Sequence, residues 1–142
     1  MGKKERIRPI SICLLLRGEE ILVHESYDSV KQVGFARPLG GGIDFGETSA
    51  EAAIREIKEE LGADITGVAL LGIVENIFVY EGEPGHEIVF VYDGRFVDQS
   101  LYGLASLEGV EGKRQFKAVW RSLADLRSGP HPLVPKQIWE LL

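Results

Sequence analysis

A chain of 142 residues, 44% apolar and 27% charged, has the composition of a soluble globular protein and excludes general disorder; its length fits one domain over 1–142. Sixteen basic against twenty-two acidic residues leave a net charge of −6. No cationic stripe appears beyond the N-terminal tail, which argues against a nucleic-acid polymer as partner. No apolar run approaches the ~20 residues that cross a bilayer, so no membrane partner is expected. Met1-Gly2-Lys3-Lys4-Glu5-Arg6 runs into a strand-like segment with no small-residue cleavage site, which speaks against a secretory leader. One cysteine, Cys13, forbids an internal disulfide and a multi-cysteine zinc site. Its apolar neighbours make it a buried structural thiol, and the cytoplasm is the expected compartment.

In chain order, Ile7 to Leu16 reads as a buried strand, and Ile21 to Tyr27 as its hairpin partner across the turn Arg17-Gly18-Glu19-Glu20. Asp28 to Val33 reads as a loop. Gly34 to Gly46 is too rich in glycine for a regular element, with four glycines between positions 40 and 46. Such a cluster marks positive φ or backbone that a ligand approaches closely. Thr48 and Glu51 form a T-x-x-E capping box, and Gly62 stands where a helix would end. The spacing predicts a helix over about 49–61, with Ala50, Ala53, Ile54, Ile57 and Leu61 as one apolar stripe.

Val68 to Tyr80 reads as one or two strands, Glu81 to Gly85 as a turn, and His86 to Val97 as a strand. Gln99 to Gly112 reads as irregular or partly helical. Phe116 to Trp120 reads as a strand, Ser122 to Leu126 as the start of a short helix, and Lys136 to Leu142 as a last helix behind Pro135. This mix predicts an α/β or α+β architecture with a helix on at least one sheet face.

The predicted helix carries a conflict. Glu56, Glu59 and Glu60 fall together on its flank beside the apolar stripe. The i,i+3 and i,i+4 like charges repel by a few tenths of a kcal/mol each. Glu59 and Glu60 also occupy the last turn, where the helix dipole favours cations. Three carboxylates beside a glycine loop offering backbone oxygens are hard ligands, suited to Mg²⁺ or Mn²⁺. A divalent ion would cancel the repulsion.

Gly41, Glu47, Arg55, Glu56, Ile57, Glu59, Glu60, Gly62 and Ala63 follow the pattern G-x5-E-x7-R-E-U-x-E-E-x-G-U, with U aliphatic. The segment resembles the Nudix box of the Nudix hydrolases, at 41–63. Ala63 is smaller than the usual aliphatic residue, and Pro38-Leu39-Gly40-Gly41-Gly42 replaces the common Pro-Gly-Gly entry. The resemblance implies an α/β/α sandwich around a mixed sheet. It also implies hydrolysis of a pyrophosphate linked to another moiety, as in nucleoside triphosphates, nucleotide sugars, ADP-ribose or dinucleoside polyphosphates.

Carried over residue by residue, the resemblance makes Glu56, Glu59 and Glu60 metal ligands, with the Gly40 carbonyl a further one. Glu47 would support them or bind an additional ion. Arg55 would orient the cluster, consistent with its i,i+4 relation to Glu51 and Glu59. Glu59, Glu60 and Arg55 are the expected catalytic residues, and Mg²⁺ or Mn²⁺ the expected cofactor. Glu59 is the first choice of general base, with Glu108 or Glu111 as loop-borne alternatives. Arg37 is a candidate phosphate contact, and Phe35 and Tyr80 are candidates to stack on a base. The expected partner is a small phosphorylated molecule, a nucleotide derivative, and a homodimer is left open. The proline- and tryptophan-containing signature of the NADH pyrophosphatases is absent, as is the upstream coenzyme A motif. The alternative reading is a Nudix-like regulatory module that senses a nucleotide without hydrolysing it.

Overall fold

The computed structural model describes residues 5–142. Met1 to Lys4, on which part of the expectation about a leader falls, lie outside the described residues. Alternating apolar residues in the first thirty positions build a hairpin, β1 (Ile7–Arg17) and β2 (Glu20–Asp28). Only Leu16 and Arg17 pair with Ile21 and Glu20. Beyond that short zip the two strands part, and each takes a different neighbour.

The glycine-rich stretch supplies those neighbours. It is extended, in two short strands, where the glycine content had predicted no regular element: β3 (Val33–Arg37) pairs with β2, and β4 (Leu39–Gly42) pairs with β1. The reason is close approach. A Cβ at Gly40 would fall 2.1 Å from the Ser11 carbonyl oxygen, so only glycine lets β4 lie against β1 in this register.

After the helix α1 (Ser49–Leu61) come β5 (Ile65–Tyr80) and β6 (Glu83–Phe96), joined by a turn of two residues, Glu81 and Gly82. Both have positive φ, 53° and 76°, as a tight hairpin turn requires. The turn is therefore shorter than predicted, and Glu83, Pro84 and Gly85 belong to β6. β7 (Ser106–Glu111) and β8 (Arg114–Ser122) form a further hairpin, followed by α2 (Leu123–Ser128), capped by Ser122. Gln99–Gly103 and Lys136–Leu141 are 3₁₀ segments. The first fits the partly helical reading of that region. The second replaces the last helix.

The mixed sheet runs β5-β6-β1-β2-β8-β7, with β1 and β6 parallel. Its two faces are covered by different elements. Leu14, Val23, Val91, Leu126, Leu133 and Ile138 form the core under α2 and the C-terminal segment. Cys13, Leu15, Leu22, Ile57, Phe96 and Trp120 form the core under α1. This is an α/β/α sandwich. Cys13 is buried and its thiol is pushed up to about 12, first by burial and then by the nearby Asp93 charge, so it is an inert packing residue.

Candidate active site

α1 forms because both ends are locally satisfied. Thr48 accepts from the Glu51 amide and Glu51 returns a bond to the Thr48 amide. Gly62 closes the helix in the left-handed region at φ 67°. Its buried face is rotated from the predicted stripe. Ala52, Ala53, Ile57 and Glu60 are buried, and Ile54 is 41% exposed. The contact face is two adjacent i,i+4 rows, Ala53–Ile57 and Ala52–Glu56–Glu60. Glu56 and Glu60 therefore stand within the packed face and not on its flank, while Glu59 stays outside it. Two small alanines let the helix approach β1 and β4 closely on that side.

The consequences differ for each carboxylate. Glu60 is 6% exposed, and its Oε1 accepts from the Gly40 amide at 3.1 Å. Burial, with the charges of Glu56 and Glu111 nearby, pushes its carboxyl up to about 8. Glu56 is raised by burial, partly offset by the Arg55 guanidinium. Its carboxyl group presses on the loop where a Cβ at Gly41 would sit 2.6 Å away. A side chain there would push the Glu56 carboxylate aside. Glu59 is the open member, with its side chain 60% exposed.

Arg55 ties this face to the loop. Its Nε and Nη2 grip Glu47 at 2.7 and 2.9 Å, Nη2 also reaches the Gly42 carbonyl at 2.8 Å, and Nη1 donates to Glu56 at 2.9 Å and Glu59 at 3.2 Å. The expected contact with Glu59 is present. Glu51 serves the N-cap, so Arg55 does not hold it. Glu47 is held down to about 2, chiefly by the Arg55 hydrogen bonds and then by the Asp44 amide. Both its oxygens are thereby taken.

Arg37, on β3, lies 3.6 Å from Glu111, and its charge lowers the Glu60 carboxyl. Phe35, two residues earlier on the same strand, meets Tyr80 edge-on with ring centroids 5.7 Å apart. Glu108 and Glu111 sit on β7, a paired strand, where an irregular segment was expected. Glu108, Gly109, Val110 and Gln115 from the β7–β8 hairpin line a cleft of about 440 Å³ with Glu59, Glu60, Leu61 and Gly62. Sequence reasoning did not single out Gln115, and nothing in its local pattern marks it.

Among the described residues, no three acidic, histidine or cysteine side chains stand together as a metal cage. Arg55 draws Glu56 and Glu59 to itself while Glu60 turns to Gly40. The donor chemistry nonetheless fits a hard cation: three carboxylates within one helical turn and a half, two of them desolvated, beside a glycine-rich backbone.

A family model described as the NUDIX domain matches residues 6–141. The NAD-capped RNA hydrolase NudC of Pseudomonas aeruginosa is 31% identical over 141 residues, covering 92% of this chain and 49% of that protein. The chain spans about half the length of this curated relative. The crystal structure of a MutT NUDIX hydrolase from Burkholderia pseudomallei superposes with a TM-score of 0.67 at 26% identity, covering 96% of this chain and 97% of that one. A NUDIX hydrolase from Nitrosomonas europaea gives 0.65 at 16% identity over 96% of this chain and 86% of that one, a likeness of fold alone.

Proposed function

Because this chain belongs to the Nudix hydrolase family, we propose that it is a divalent-metal-dependent pyrophosphohydrolase. Its substrate in this reading is a nucleoside diphosphate linked to another moiety, cleaved by attack of water on phosphorus. The observation that carries the reading is the pair of desolvated carboxylates, Glu56 and Glu60, packed against a glycine loop in which Gly40 leaves no room for a side chain. A polyanionic substrate approaching such a face in a protein of net charge −6 needs positive charge between them.

Glu56, Glu59 and Glu60 with the Gly40 carbonyl would hold Mg²⁺ or Mn²⁺. The bound ion would neutralise phosphate charge and make a water more acidic. Glu47, with both oxygens committed, serves in this reading as the anchor that fixes Arg55. Arg55 in turn keeps Glu56 and Glu59 side by side on the helix face, from which they would turn toward the ion. Glu59, exposed at the cleft wall, would accept the proton of the attacking water in this reading. Arg37 offers a planar fork to phosphate oxygens, which would compete with its present Glu111 partner. The Phe35–Tyr80 pair offers an aromatic wall for a planar base. A cytoplasmic setting suits a chain whose one cysteine is buried and unbridged.

The test is phosphate release from nucleoside triphosphates, nucleotide sugars, ADP-ribose, NADH and dinucleoside polyphosphates, with and without Mg²⁺. Turnover of one class, lost on chelation and reduced at least ~10²-fold in Glu59→Gln, is expected. Equal turnover by wild type and variant would remove Glu59 from the chemistry.

A further inference from the structure

Ser11, Asp28 and Glu60 are the buried polar side chains among the described residues. Glu60 belongs to the site above, and Ser11 seats α1 by donating to the Ser49 carbonyl at 2.7 Å. Asp28, 2% exposed, stands at the end of β2, where neither explanation reaches. Its Oδ1 accepts the Val30 and Lys31 amides, each at 3.0 Å, and its Oδ2 accepts the Glu81 amide of the β5–β6 turn at 3.2 Å. The first two bonds close a local turn. The third joins segments 53 residues apart. Further contacts run the same way. Ser29 gives its amide to Glu81 Oε1 at 2.8 Å and its hydroxyl to Glu81 Oε2, and Lys31 Nζ donates to the Val79 carbonyl at 2.6 Å.

These bonds hold together two unsupported ribbon tips. β1 pairs with β6 only as far as Ile7↔His86. Among the described residues, the pairs Phe78↔Gly85, Val79↔Pro84 and Tyr80↔Glu83 therefore have no third strand. β8 leaves β2 at His24, and the pairs Ser26↔Phe35, Tyr27↔Gly34 and Asp28↔Val33 likewise stand as a two-stranded ribbon. Such a ribbon is marginal in water by itself. Each tip is steadied by the other, through Asp28 and its neighbours. Tyr80 rides on one tip and Phe35 on the other, where their rings meet edge-on. Tyr80 is 41% exposed, so few packing contacts fix it, and the cross-loop bonds set where its ring stands.

We propose that Asp28 is a positioning residue for nucleoside binding: by fastening the β5–β6 turn to the β2–β3 loop, it holds Tyr80 against Phe35 and keeps the aromatic wall assembled before a ligand arrives. The inference rests on the nucleotide-derivative substrate proposed above. A base that stacks on a preformed wall does not have to order it, so the latch tightens binding. It acts equally on bound substrate and transition state, and so it lowers KM and leaves kcat to the carboxylates. Asp28 itself touches neither substrate nor metal.

Asp28→Asn tests this. The amide keeps one oxygen for Val30 and Lys31, but its nitrogen cannot accept the Glu81 amide. Hydrogen exchange reads the latch without any substrate: amides over 78–85 exchange at least ~10-fold faster in the variant, with α1 and the centre of β1 unchanged. On the substrate that the phosphate-release screen finds, KM rises roughly five- to twentyfold with kcat within about twofold of wild type. In a Tyr80→Ala background the same substitution changes KM by less than about twofold, because the ring it positions is gone. Ser29→Ala, at an exposed position, moves both readouts in the same direction by less. If no compound turns over, calorimetric titration with ADP, GDP, CDP and UDP in Mg²⁺ gives the same comparison through Kd. Unchanged exchange over 78–85, unchanged KM or Kd, a loss carried by kcat, or an equal effect with and without Tyr80 overturns the proposal. Any of these in an active enzyme leaves the hydrolytic reading standing. Nucleotide binding that follows the latch without turnover removes hydrolysis alone, and absence of both binding and turnover overturns both readings.

Discussion

Arg55 and Arg121 each hold a glutamate through two nitrogens, and their surroundings differ sharply. Arg121, on β8, grips Glu25 of β2 at 3.0 and 2.9 Å. The pair joins two neighbouring strands, is partly exposed, and balances one charge with one charge. Arg55 grips Glu47 across the β4–α1 loop and also lies within 3.4 Å of Glu56, Glu59 and Asp44. One cation there answers four anions, and the carboxyl of Glu60 is buried beside them. The strand pair is a structural clamp near electrical balance. The helix face holds negative charge that folding alone does not require, which is the signature of a site built to receive positive charge.

The largest effect that follows from this contrast is catalytic. Glu60→Gln keeps the shape and the hydrogen-bonding atom but removes the carboxylate that an ion would bind, and turnover should fall by ~10²-fold or more with the fold intact. Steady-state kinetics on whichever substrate the phosphate-release screen finds will measure it, and activity within tenfold of wild type would move the chemistry off this face. Arg55→Lys comes next. A lysine cannot reproduce the planar fork shared among Glu47, Glu56 and Gly42, so turnover should fall by roughly tenfold, through kcat more than KM. The melting temperature in EDTA should also fall, because the carboxylates lose their organiser.

The pH dependence of stability sharpens the comparison through opposite signs. The Glu60 carboxyl is raised in the folded state to about 8. Its favourable contribution is therefore present below the ordinary value near 4.5 and is lost as pH rises through about 8. Metal-free protein should lose melting temperature between pH 5 and 8, and Glu60→Gln should flatten that slope. Glu47 and Glu25 are lowered by their arginines. Their contributions are present above the ordinary value and are lost as pH falls toward their folded values, about 2 for Glu47. A thermal-denaturation series in EDTA separates the two regimes. The smallest effect belongs to the clamp: Arg121→Ala should cost no more than ~1 kcal/mol in urea unfolding, with the pair partly exposed, and leave kcat unchanged.

Where the sequence was readable, the signal was local. Helix α1 occupies the predicted span because its capping box lies within three residues, its closing glycine follows the last turn, and neither competes with anything distant. Glu56, Glu59 and Glu60 were visible as a cluster for the same reason, since helical spacing fixes their proximity. The rotation of that helix was not visible, because it depends on how closely Ala52 can approach another strand. The same holds for β3 and β4, whose glycines read as loop until β1 lies alongside and makes them necessary. The Arg55–Glu47 grip spans eight residues across a loop, and no periodicity announces it. β7 was read as irregular because Ser106 to Glu111 has too few apolar residues to stand out. Its pairing with β8 along six positions supplies what its composition lacks.

The most direct measurement is product analysis by mass spectrometry after incubating wild type and Glu60→Gln with the nucleotide panel and Mg²⁺ in ¹⁸O-water. Cleavage of a phosphoanhydride by the wild type, with ¹⁸O entering one phosphate product and the rate at least ~10²-fold lower in the variant, is the predicted result. Intact substrates throughout, or the same rate from both proteins, would contradict it.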